Sequence, residues 1–260
     1  MRSRNIALGC ALAGMLGFIA VPPVPARAGR LAGAMGPAGA ISAATAAKAA
    51  PALSIGTGAT AYGYSSRVRL SVSLGRTYAN RRVSVYAAPV GLRPWLWRTG
   101  RVSAAGQLRA YFRLTRTTTF TAVFGGDARD APARASRTLY AAAHVANGLG
   151  GYYKKIRARG ITYYVFRSSR MLILHATVAP NKRGECLKPE TEQWDTGSGW
   201  DDHTSYGCDF LDGHSHDRAP FNLAQAAGDR YRIRAVYVHS ARDRANLSAV
   251  GPWLYLMVVR

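Results

Sequence analysis

Hydrophobic and polar positions alternate with a period of two from Leu53 onward. In the stretch RVRLSVSL the apolar side chains fall on one face of an extended chain, namely Val68, Leu70, Val72 and Leu74. Further alternating runs follow as RVSVYA, QLRAYFRL, TFTAVF and RTLYAAAHV, with glycine- and serine-rich turns between them. Short alternating strands with a turn every 8 to 12 residues are typical of an antiparallel β-sandwich. The pattern therefore predicts one such domain over residues 53–147.

The same alternation returns in the C-terminal half of the chain. Seven candidate strands read GYYKKI, ITYYVF, MLILHATV, GECLKPETEQW, PFNLAQA, RYRIRAVYV and WLYLMVV. In RYRIRAVYV, Ile233 and Ala235 face one way, while Arg232 and Arg234 face the other. A glycine-rich run at residues 147–151 separates the two blocks and predicts a short hinge. We expect an all-β fold of two tandem antiparallel sandwiches, the second over residues 148–260.

The N-terminus has the pattern of an export signal. A basic start, MRSRN, precedes sixteen apolar residues at positions 6–21, and Ala26-Arg27-Ala28 is an A-x-A cleavage pattern. The apolar stretch is shorter than the roughly 20 residues that a membrane span needs. Residues 1–28 are therefore predicted to be a signal peptide, cleaved before Gly29. Residues 29–52, rich in alanine and glycine, are predicted to be a flexible linker, and no transmembrane segment is expected in the mature chain.

Export leaves Cys186 and Cys208 as the two cysteines of the mature chain, because Cys10 is removed with the signal. An even pair in an oxidising compartment predicts a disulfide. The bond would enclose about half of an acidic stretch at residues 199–217, GWDDHTSYGCDFLDGHSHD. We expect this stretch to be a disulfide-tethered surface loop of the second sandwich.

Residues 54–145 resemble the bacterial Ig-like repeats of exported proteins. The resemblance lies in RRVSVYAAP, the tryptophan strand PWLWRTGRVS, AAGQLRAYF and the TTTFTAVFGGDA stretch, which ends in Gly-Asp like strand F of that family. The second block is similar at a greater distance, since GDRYRIRAVY looks like strand F of an Ig or fibronectin-type domain, with Tyr231 placed like a tyrosine corner. The resemblance implies exposed binding or stalk-like modules and no reaction, and the longer acidic region at 185–217 departs from it.

The charge distribution favours contact with polyanions. The formal net charge is +22, and residues 53–142 carry 14 basic but only 2 acidic residues. Nine acidic residues fall within 185–217 and give the second block an acidic lobe. We expect electrostatic binding through Arg67, Arg69, Arg81 and Arg82, with anionic cell-wall polymers or polysaccharide as partners.

Two other binding hypotheses come from aromatic residues. Trp95 and Trp97 alternate by two, so one face of their strand would offer two indoles for stacking on sugar rings. The alternation of Arg109, Tyr111 and Arg113 could suit nucleic acid. However, the chain has no dedicated nucleic-acid motif, and export argues against a genomic target.

Fewer sequence features support a metal site or a catalytic site. His214 and His216, with Asp212 or Asp217, are residue types that bind zinc or copper, but their spacing matches no metal motif. Glu190 and Glu192 would lie on one face of a strand at the separation of paired carboxylates. Neither of these carboxylates is predicted to lie in a cleft, and no hydrolase signature is present.

The leading hypothesis is a secreted, non-enzymatic binding or structural protein without a cofactor. It would lie outside the cell or on the cell wall and associate with the anionic bacterial envelope or matrix. The alternatives are a carbohydrate- or metal-dependent binding module and, third, a secreted hydrolase.

Overall fold

The computed structural model describes residues 48–75, 81–224 and 226–260, and within these ranges it contains strands and turns but no helix. The described residues belong to one compact unit, Ala46–Arg260. The described part has no helix long and apolar enough to cross a membrane. The predicted signal peptide and residues 29–47 of the predicted linker lie outside the described residues. The expected all-β class is confirmed.

Eight strands form the first sandwich: β1 (Ser54–Gly56), β2 (Ala61–Tyr62), β3 (Ser66–Ser73), β4 (Arg82–Pro89), β5 (Trp95–Arg101), β6 (Gln107–Leu114), β7 (Thr118–Phe124) and β8 (Ala133–Ala141). One sheet has the order β1-β3-β6, and the other has the order β2-β8-β7-β4-β5. Pairing is antiparallel except between β2 and β8, which is parallel. The first, third and sixth strands thus oppose a sheet that contains the fourth, seventh and eighth, which is the immunoglobulin arrangement.

Alternation along these strands explains the core of the first sandwich. Val68 and Leu70 on β3 are each 1% exposed, and the residues beside them point outward. The rings of Trp97, Phe112 and Phe120 meet edge to face, with centroids 4.9 to 5.6 Å apart. Each large apolar side chain buried in this way contributes about 1.5–3 kcal/mol relative to exposure.

The second sandwich contains the remaining strands: β9 (His144–Gly150), β10 (Lys154–Ala158), β11 (Ile161–Arg167), β12 (Met171–Ala179), β13 (Cys186–Asp195), β14 (Gly199–Ser205), β15 (Asp209–Phe210), β16 (His216–Asn222), β17 (Arg230–Val238), β18 (Ala249–Val250) and β19 (Leu254–Val259). Its sheets have the orders β9-β12-β16 and β10-β11-β19-β17-β13-β14. Without β10, β15 and β18 the strand order is the same as in the first sandwich. The parallel pair β11–β19 takes the place of β2–β8.

A separate apolar core lies between these two sheets. Phe166, Leu174 and Tyr237 within it have no exposed surface. The predicted alternation is confirmed on β17, where Ile233 and Ala235 are buried, while Arg232 and Arg234 are half-buried on the other face. Each sandwich therefore has its own hydrophobic core.

The glycine-rich run at 147–151 is not a hinge, so this expectation was wrong. Residues 147–150 belong to β9 and pair with β12, with Leu149 opposite Leu174. A Cβ at Gly150 would lie 2.7 Å from Nε2 of His175, so glycine serves a close approach of two strands here. The proposed boundary between residues 147 and 148 falls inside β9, and the division of the chain into two folding domains stays a prediction.

The tip of the acidic stretch also differs from the expectation. Residues 199–205 form strand β14, which pairs with β13 across a short turn; Trp194 lies opposite Trp200. Asp195 stabilises the turn, because its Oδ1 accepts the backbone N–H groups of Gly197 and Ser198 at 2.7 and 3.1 Å. The stretch is therefore in part an edge hairpin of the large sheet rather than a loop throughout.

Backbone hydrogen bonds join the two sandwiches. Residues 245–247 of the segment between β17 and β18 run alongside the first sandwich. The amide of Thr117 donates to the carbonyl of Ala245 at 2.7 Å, and Leu247 donates to the carbonyl of Ala141 at 2.8 Å. Asn246, which is 1% exposed, donates through Nδ2 to the carbonyl of Thr115 at 3.0 Å. The segment is thus hydrogen-bonded to the first sandwich at several points.

A buried charge network holds this segment in place. Lys182 is 6% exposed, and its Nζ lies 2.5 Å from Oδ2 of Asp243 and 2.8 Å from Oδ1 of Asn246. The hydroxyl of Tyr237 donates to the same Asp243 oxygen. Burial raises the pKa of Asp243, but the hydrogen bonds from Lys182 and Tyr237 outweigh burial and hold this pKa below its usual value. Lys182 therefore links the second core to the junction.

The described end of the predicted linker contacts the first sandwich. Lys48 donates through Nζ to the carbonyl of Asp127 at 2.9 Å, and Ala131 donates its amide to the carbonyl of Ala49 at 3.0 Å. Leu53 packs against the first core. Residues 48–52 are thus held against the turn between β7 and β8, unlike a free linker.

Candidate functional site

The outer surface of the small sheet in the first sandwich is strongly basic. Arg67 and Arg69 on β3 lie beside β6, where Arg109 and Arg113 point outward and Tyr111 lies between them. We call these five residues the basic face. In the register, Arg67 is opposite Arg113 and Arg69 is opposite Tyr111. Strand alternation explains the arrangement, because the residues between these positions face the core.

No carboxylate neutralises the basic face among the described residues. The ion pairs of that part of the chain involve none of its four arginines. The guanidinium carbon of Arg67 lies 4.4 Å from the centre of the Tyr111 ring, a cation–π contact. Arg109 donates to Oε1 of Gln107 at 2.5 Å, and Arg113 donates to the hydroxyl of Ser65. These neutral partners orient the side chains and leave their charges uncompensated.

The structure separates the four predicted electrostatic residues. Arg67 and Arg69 belong to the basic face, but the predicted role of Arg81 is wrong. Its side chain is 5% exposed and pairs with Asp127 at 2.7 Å and with Asp130, over the ring of Phe124. Arg82 is exposed on β4 in the other sheet, opposite Arg101. Of the four predicted residues, only Arg67 and Arg69 therefore lie together on one exposed surface.

The two tryptophans of β5 do not form a matched pair of stacking platforms. The register between β4 and β5 shifts at Val85 and Tyr86 and leaves Trp97 as the extra residue of a β-bulge. The Trp97 ring packs against the aromatic side chains of the core, whereas Trp95 is 41% exposed. Trp97 is thus a partly buried core residue that also lines a surface cleft, shared with Arg98 and residues of the basic face.

The outer face of the large sheet in the second sandwich carries cross-strand ion pairs. Glu190 on β13 lies opposite Arg234 on β17, and the two side chains approach to 2.7 Å. Glu192 and Arg232 form the next pair along the strands, with Nε 2.7 Å from Oε2. His203 lies 3.5 Å from Glu192 and 3.9 Å from Glu190. Both glutamates of the candidate carboxylate pair are therefore in ion pairs with arginines.

Aromatic rings cover these arginines. Arg234 lies 4.2 Å from the ring centre of Trp253, and Arg232 lies 4.6 Å from Trp253 and 5.1 Å from Trp200. Trp200 also contacts Trp194, at a centroid distance of 5.2 Å. The edge-to-face contact between the indoles and the cation–π contacts of the guanidinium groups stabilise this face. The alternation of the arginines is visible in the sequence, but their contacts with Trp200 and Trp253 were not predicted, because these residues come from distant parts of the chain.

A groove of about 270 Å³ lies beside these contacts, with Tyr163, Trp194 and Trp200 among the residues that line it. Arg159 and Arg230 provide polar groups at the same groove. Its combination of flat aromatic surface and few charges resembles the general chemistry of small-molecule sites.

The structure does not bring the four predicted metal ligands together into one metal-binding group. Oδ1 of Asp212 accepts the backbone N–H groups of His214 and His216, both at 2.8 Å, and so caps the turn before β16. The two imidazole centroids are 6.2 Å apart. His216 and Asp217 are consecutive on β16, so their side chains leave opposite faces. Within the described ranges, no group of three or more His, Cys, Asp or Glu side chains is arranged to hold a metal ion.

The pKa values of two carboxyls in this region are displaced in opposite directions. Burial, together with the charges of Asp209 and Asp212, raises the pKa of Asp217. Oδ2 of Asp217 is buried without a hydrogen-bond partner among the described residues. The hydrogen bonds from His216 and His214 instead lower the pKa of Asp212. Folding therefore disfavours the ionised form of Asp217 and favours the ionised form of Asp212.

Replacing Asp217 with asparagine should raise the melting temperature at pH 7, since the folded protein disfavours the ionised carboxyl. The gain should vanish below about pH 4, where the carboxyl is protonated even in the unfolded chain. Asp212→Asn should have the opposite sign and lower stability at pH 7, again with a smaller difference in acid. Thermal unfolding of both variants between pH 3 and 8 tests this, and equal signs at pH 7 would contradict it.

The predicted disulfide is present in the structure. Cys186 at the start of β13 is bonded to Cys208, with Cα atoms 5.1 Å apart. Cys186 also lies opposite Phe210 on β15, so the bond and a two-residue pairing fasten the return of the acidic stretch to β13. The hairpin of β13 and β14 projects between the bonded cysteines.

Tyr231 lies where the predicted tyrosine corner would be, at the start of β17. Its hydroxyl donates to Oδ2 of Asp229 at 3.0 Å rather than to a backbone carbonyl upstream. Burial, and then this hydrogen bond, raise its pKa to about 12. The residue thus differs from the family pattern in its acceptor.

No protein-family model matches the chain, and no curated protein matches it. Among solved structures, the chain is similar to the tetra-tandem repeat in the extending region of a large adhesion protein, with 12% identity, 79% of this chain and 49% of that chain covered, and a TM-score of 0.33. The D0–D1 domain of intimin is 8% identical to the chain, with 78% of this chain and 97% of that chain covered and a TM-score of 0.27. A superoxide reductase (neelaredoxin) from Ignicoccus hospitalis is 16% identical, with 37% of this chain and 82% of that chain covered and a TM-score of 0.30. At these TM-scores, the fold assignment rests on the strand order described above.

Proposed function

We propose that this chain is an exported, non-enzymatic protein that attaches to anionic polymers of the bacterial envelope through the basic face. The observation that carries the proposal is the concentration of four arginines on one small sheet without a neighbouring carboxylate among the described residues. Guanidinium groups bind phosphate and carboxylate oxygens in pairs, and they are less strongly hydrated than ammonium groups. A polymer with regularly spaced anions could contact several of them at once.

The charges of the second sandwich fit a passive role in this attachment. Its acidic residues Glu190 and Glu192 are neutralised by arginines of the same sheet. The same ion pairs support the non-enzymatic part of the proposal, because a general acid or nucleophile of a glycosidase must be available to substrate. Export is supported by the N-terminal sequence pattern and by the disulfide, which persists in oxidising compartments.

Reversing two charges of the basic face should release the protein from cell walls. In Arg67→Glu/Arg69→Glu we expect a loss of affinity for purified walls of at least about 30-fold. Each arginine near an anionic surface contributes about 1 kcal/mol, and the introduced glutamates add repulsion. Wild-type protein should sediment with walls at low salt and detach by about 0.5 M salt, where screening extends only a few ångströms. Co-sedimentation over a salt series measures both effects.

A matched control separates the basic face from net charge. Arg157→Glu/Arg242→Glu changes the net charge equally, at exposed positions of the second sandwich. We expect this variant to lose less than about threefold, because screening confines surface charge effects to about 10 Å at 0.1 M salt. Equal losses in the two variants, or attachment that resists 0.5 M salt, would overturn the assignment of the basic face.

The second candidate function is binding of neutral carbohydrate at the aromatic groove of the second sandwich. The observation that favours it is the presence of Tyr163, Trp194 and Trp200 in one groove. Stacking on sugar rings would be nearly independent of salt, unlike attachment through arginines. Retention on a neutral polysaccharide column at 0.5 M salt, lost in Trp200→Ala, would support this candidate.

A further inference from the structure

Arg98 occupies a register position that normally belongs to the core. It lies on β5 opposite Val85, whose side chain is 1% exposed in the interior. Because cross-strand partners share a face of the sheet, Arg98 points to the inner side of β5. It remains exposed because β5 is the edge strand of its sheet and β6 is the edge strand of the other. An arginine thus lies at the open side of the sandwich, between the two sheets.

The bulge at Trp97 sets this position. One residue of β5 is extra between Leu96, opposite Tyr86, and Arg98, opposite Val85. If the pairing were regular, Trp97 would lie opposite Val85, and the alternation would place the side chain of Arg98 on the outer face. The bulge therefore turns one arginine towards the space between the sheets and leaves Trp97 packed against the core.

Arg98 lies in a cleft of about 380 Å³, which is lined by Arg67, Trp97, Arg98, Arg109, Ala110 and Tyr111. The cleft is open at this level because Ala110 provides only a methyl group between the sheets. On one side the gap is closed, since a Cβ at Gly100 would lie 2.8 Å from a methyl group of Leu108. On the other side, Trp97 meets Phe112 at a centroid distance of 5.4 Å. The cleft is thus confined to the level of Arg98.

The lining combines three guanidinium groups with two aromatic rings and contains no carboxylate. Among the described residues, none of Arg67, Arg98 and Arg109 has an ion-pair partner. Three cations around one small cleft repel one another, so a bound anion would lower their electrostatic energy. A neutral sugar would leave this repulsion in place.

We propose that the cleft binds the phosphate group of a sugar phosphate, with the sugar ring against Tyr111 and the exposed edge of Trp97. The inference rests on the proposed function, since it identifies a phosphodiester-linked glycan as the anionic polymer. A tetrahedral phosphate presents several oxygens, and planar guanidinium groups donate to them in pairs. A carboxylate offers only two oxygens and would satisfy fewer of the three arginines.

The test is an NMR titration of the full chain with α-glucose 1-phosphate at constant ionic strength, following the arginine Nε–H and tryptophan Nε1–H signals. We expect saturable shifts at Arg98 and Trp97, and no saturation with glucose. Glucuronate should bind at least tenfold more weakly than the phosphate. Saturation by glucuronate at the same concentration would overturn the assignment to phosphate.

Two variants locate the site. Arg98→Gln should weaken binding of α-glucose 1-phosphate at least tenfold, whereas Arg101→Gln, an exposed change on the same strand, should alter it less than twofold. Ala110→Leu keeps every arginine but fills the cleft and should abolish saturable binding. Equal effects of Arg98→Gln and Arg101→Gln, or unaltered binding in Ala110→Leu, would overturn the assignment of the phosphate site to this cleft.

The wall assay distinguishes the failure of this inference from that of the proposed function. If wild-type protein attaches to walls in a salt-dependent way but shows no saturable binding of α-glucose 1-phosphate, the cleft assignment fails and attachment through the basic face stands. If wild-type protein does not sediment with walls at low salt, the proposed function fails. Loss of wall affinity in Ala110→Leu would support both, because its charge is unchanged.

Discussion

Replacing Lys182 with methionine should destabilise the protein by about 3–5 kcal/mol, the usual cost of removing one member of a buried ion pair. Asp243 would lose its cation while its side chain stays 11% exposed, and Asn246 would lose a hydrogen-bond donor. Because Asn246 bonds to the carbonyl of Thr115, the damage should reach the contact with the first sandwich. Chemical denaturation gives the loss of stability, and hydrogen exchange at Thr117 reports on the junction.

The pH dependence identifies the mechanism of this loss. In the wild type, the lowered pKa of Asp243 contributes stability above its unfolded pKa of about 3.9, and this contribution disappears as pH falls through the folded value. The deficit of Lys182→Met should therefore be largest near neutral pH and shrink in acid. Arg183→Met, the exposed neighbour, should cost less than about 0.5 kcal/mol at any pH. A pH-independent deficit in Lys182→Met would point to lost packing instead of lost charge.

Replacing Cys186 and Cys208 together with serine should lower stability by about 3 kcal/mol, because the bond closes a loop whose ends are 22 residues apart. For a cooperative unit of about 200 residues, this corresponds to a melting temperature lower by roughly 6–12 °C. Hydrogen exchange should increase most in β15 and the neighbouring end of β13. The bond, rather than a metal, is expected to order the acidic stretch.

Chelation is the matched control for the cysteine replacement. EDTA added to the wild type should leave the melting temperature unchanged within about 1 °C. The reason is that no three His, Cys, Asp or Glu side chains of the described residues are arranged to hold a metal ion. His214→Ala/His216→Ala should behave in the same way, because Asp212 bonds to the backbone amides of these residues and not to their rings. A destabilisation by EDTA as large as that of the cysteine change would restore the metal hypothesis.

Alternation was a sound guide wherever one face of a strand is buried. On β3 the apolar side chains Val68 and Leu70 enter the core as expected, and on β17 the arginines Arg232 and Arg234 leave it. Burial on one face imposes a period of two on the sequence, so both the strands and the two-sandwich fold class could be predicted.

The sequence was less informative where backbone contacts decide the structure. β9 contains two glycines and its end was predicted to be a hinge, yet Gly150 is needed because the ring of His175 lies close to its backbone. β14 is polar along most of its length, so it lacks the apolar face that marks a strand, and its pairing with β13 is directed by the turn at Asp195.

The candidate site was predictable only in part, for a geometric reason. Arg67 and Arg81 are equivalent as letters in a basic sequence, but one is exposed and the other is buried beside two aspartates. The position of Arg98 depends on a one-residue bulge, which alternation does not reveal. Net charge and the period of two predicted a basic sheet surface. Ion-pair partners and the β-bulge decide which arginines lie on it, and neither can be read from the alternation.

The parallel pairing of β11 with β19 has a mechanical consequence. Five successive residue pairs, from Tyr163–Tyr255 to Arg167–Val259, align the two strands side by side in the same direction. Tension that pulls β11 backward and β19 forward would slide one strand along the other, so all the hydrogen bonds between them share the load at once. An antiparallel hairpin pulled open from its end loses its bonds one after another. Pulled in this way, the β11–β19 pair would therefore separate only when all of its hydrogen bonds break together.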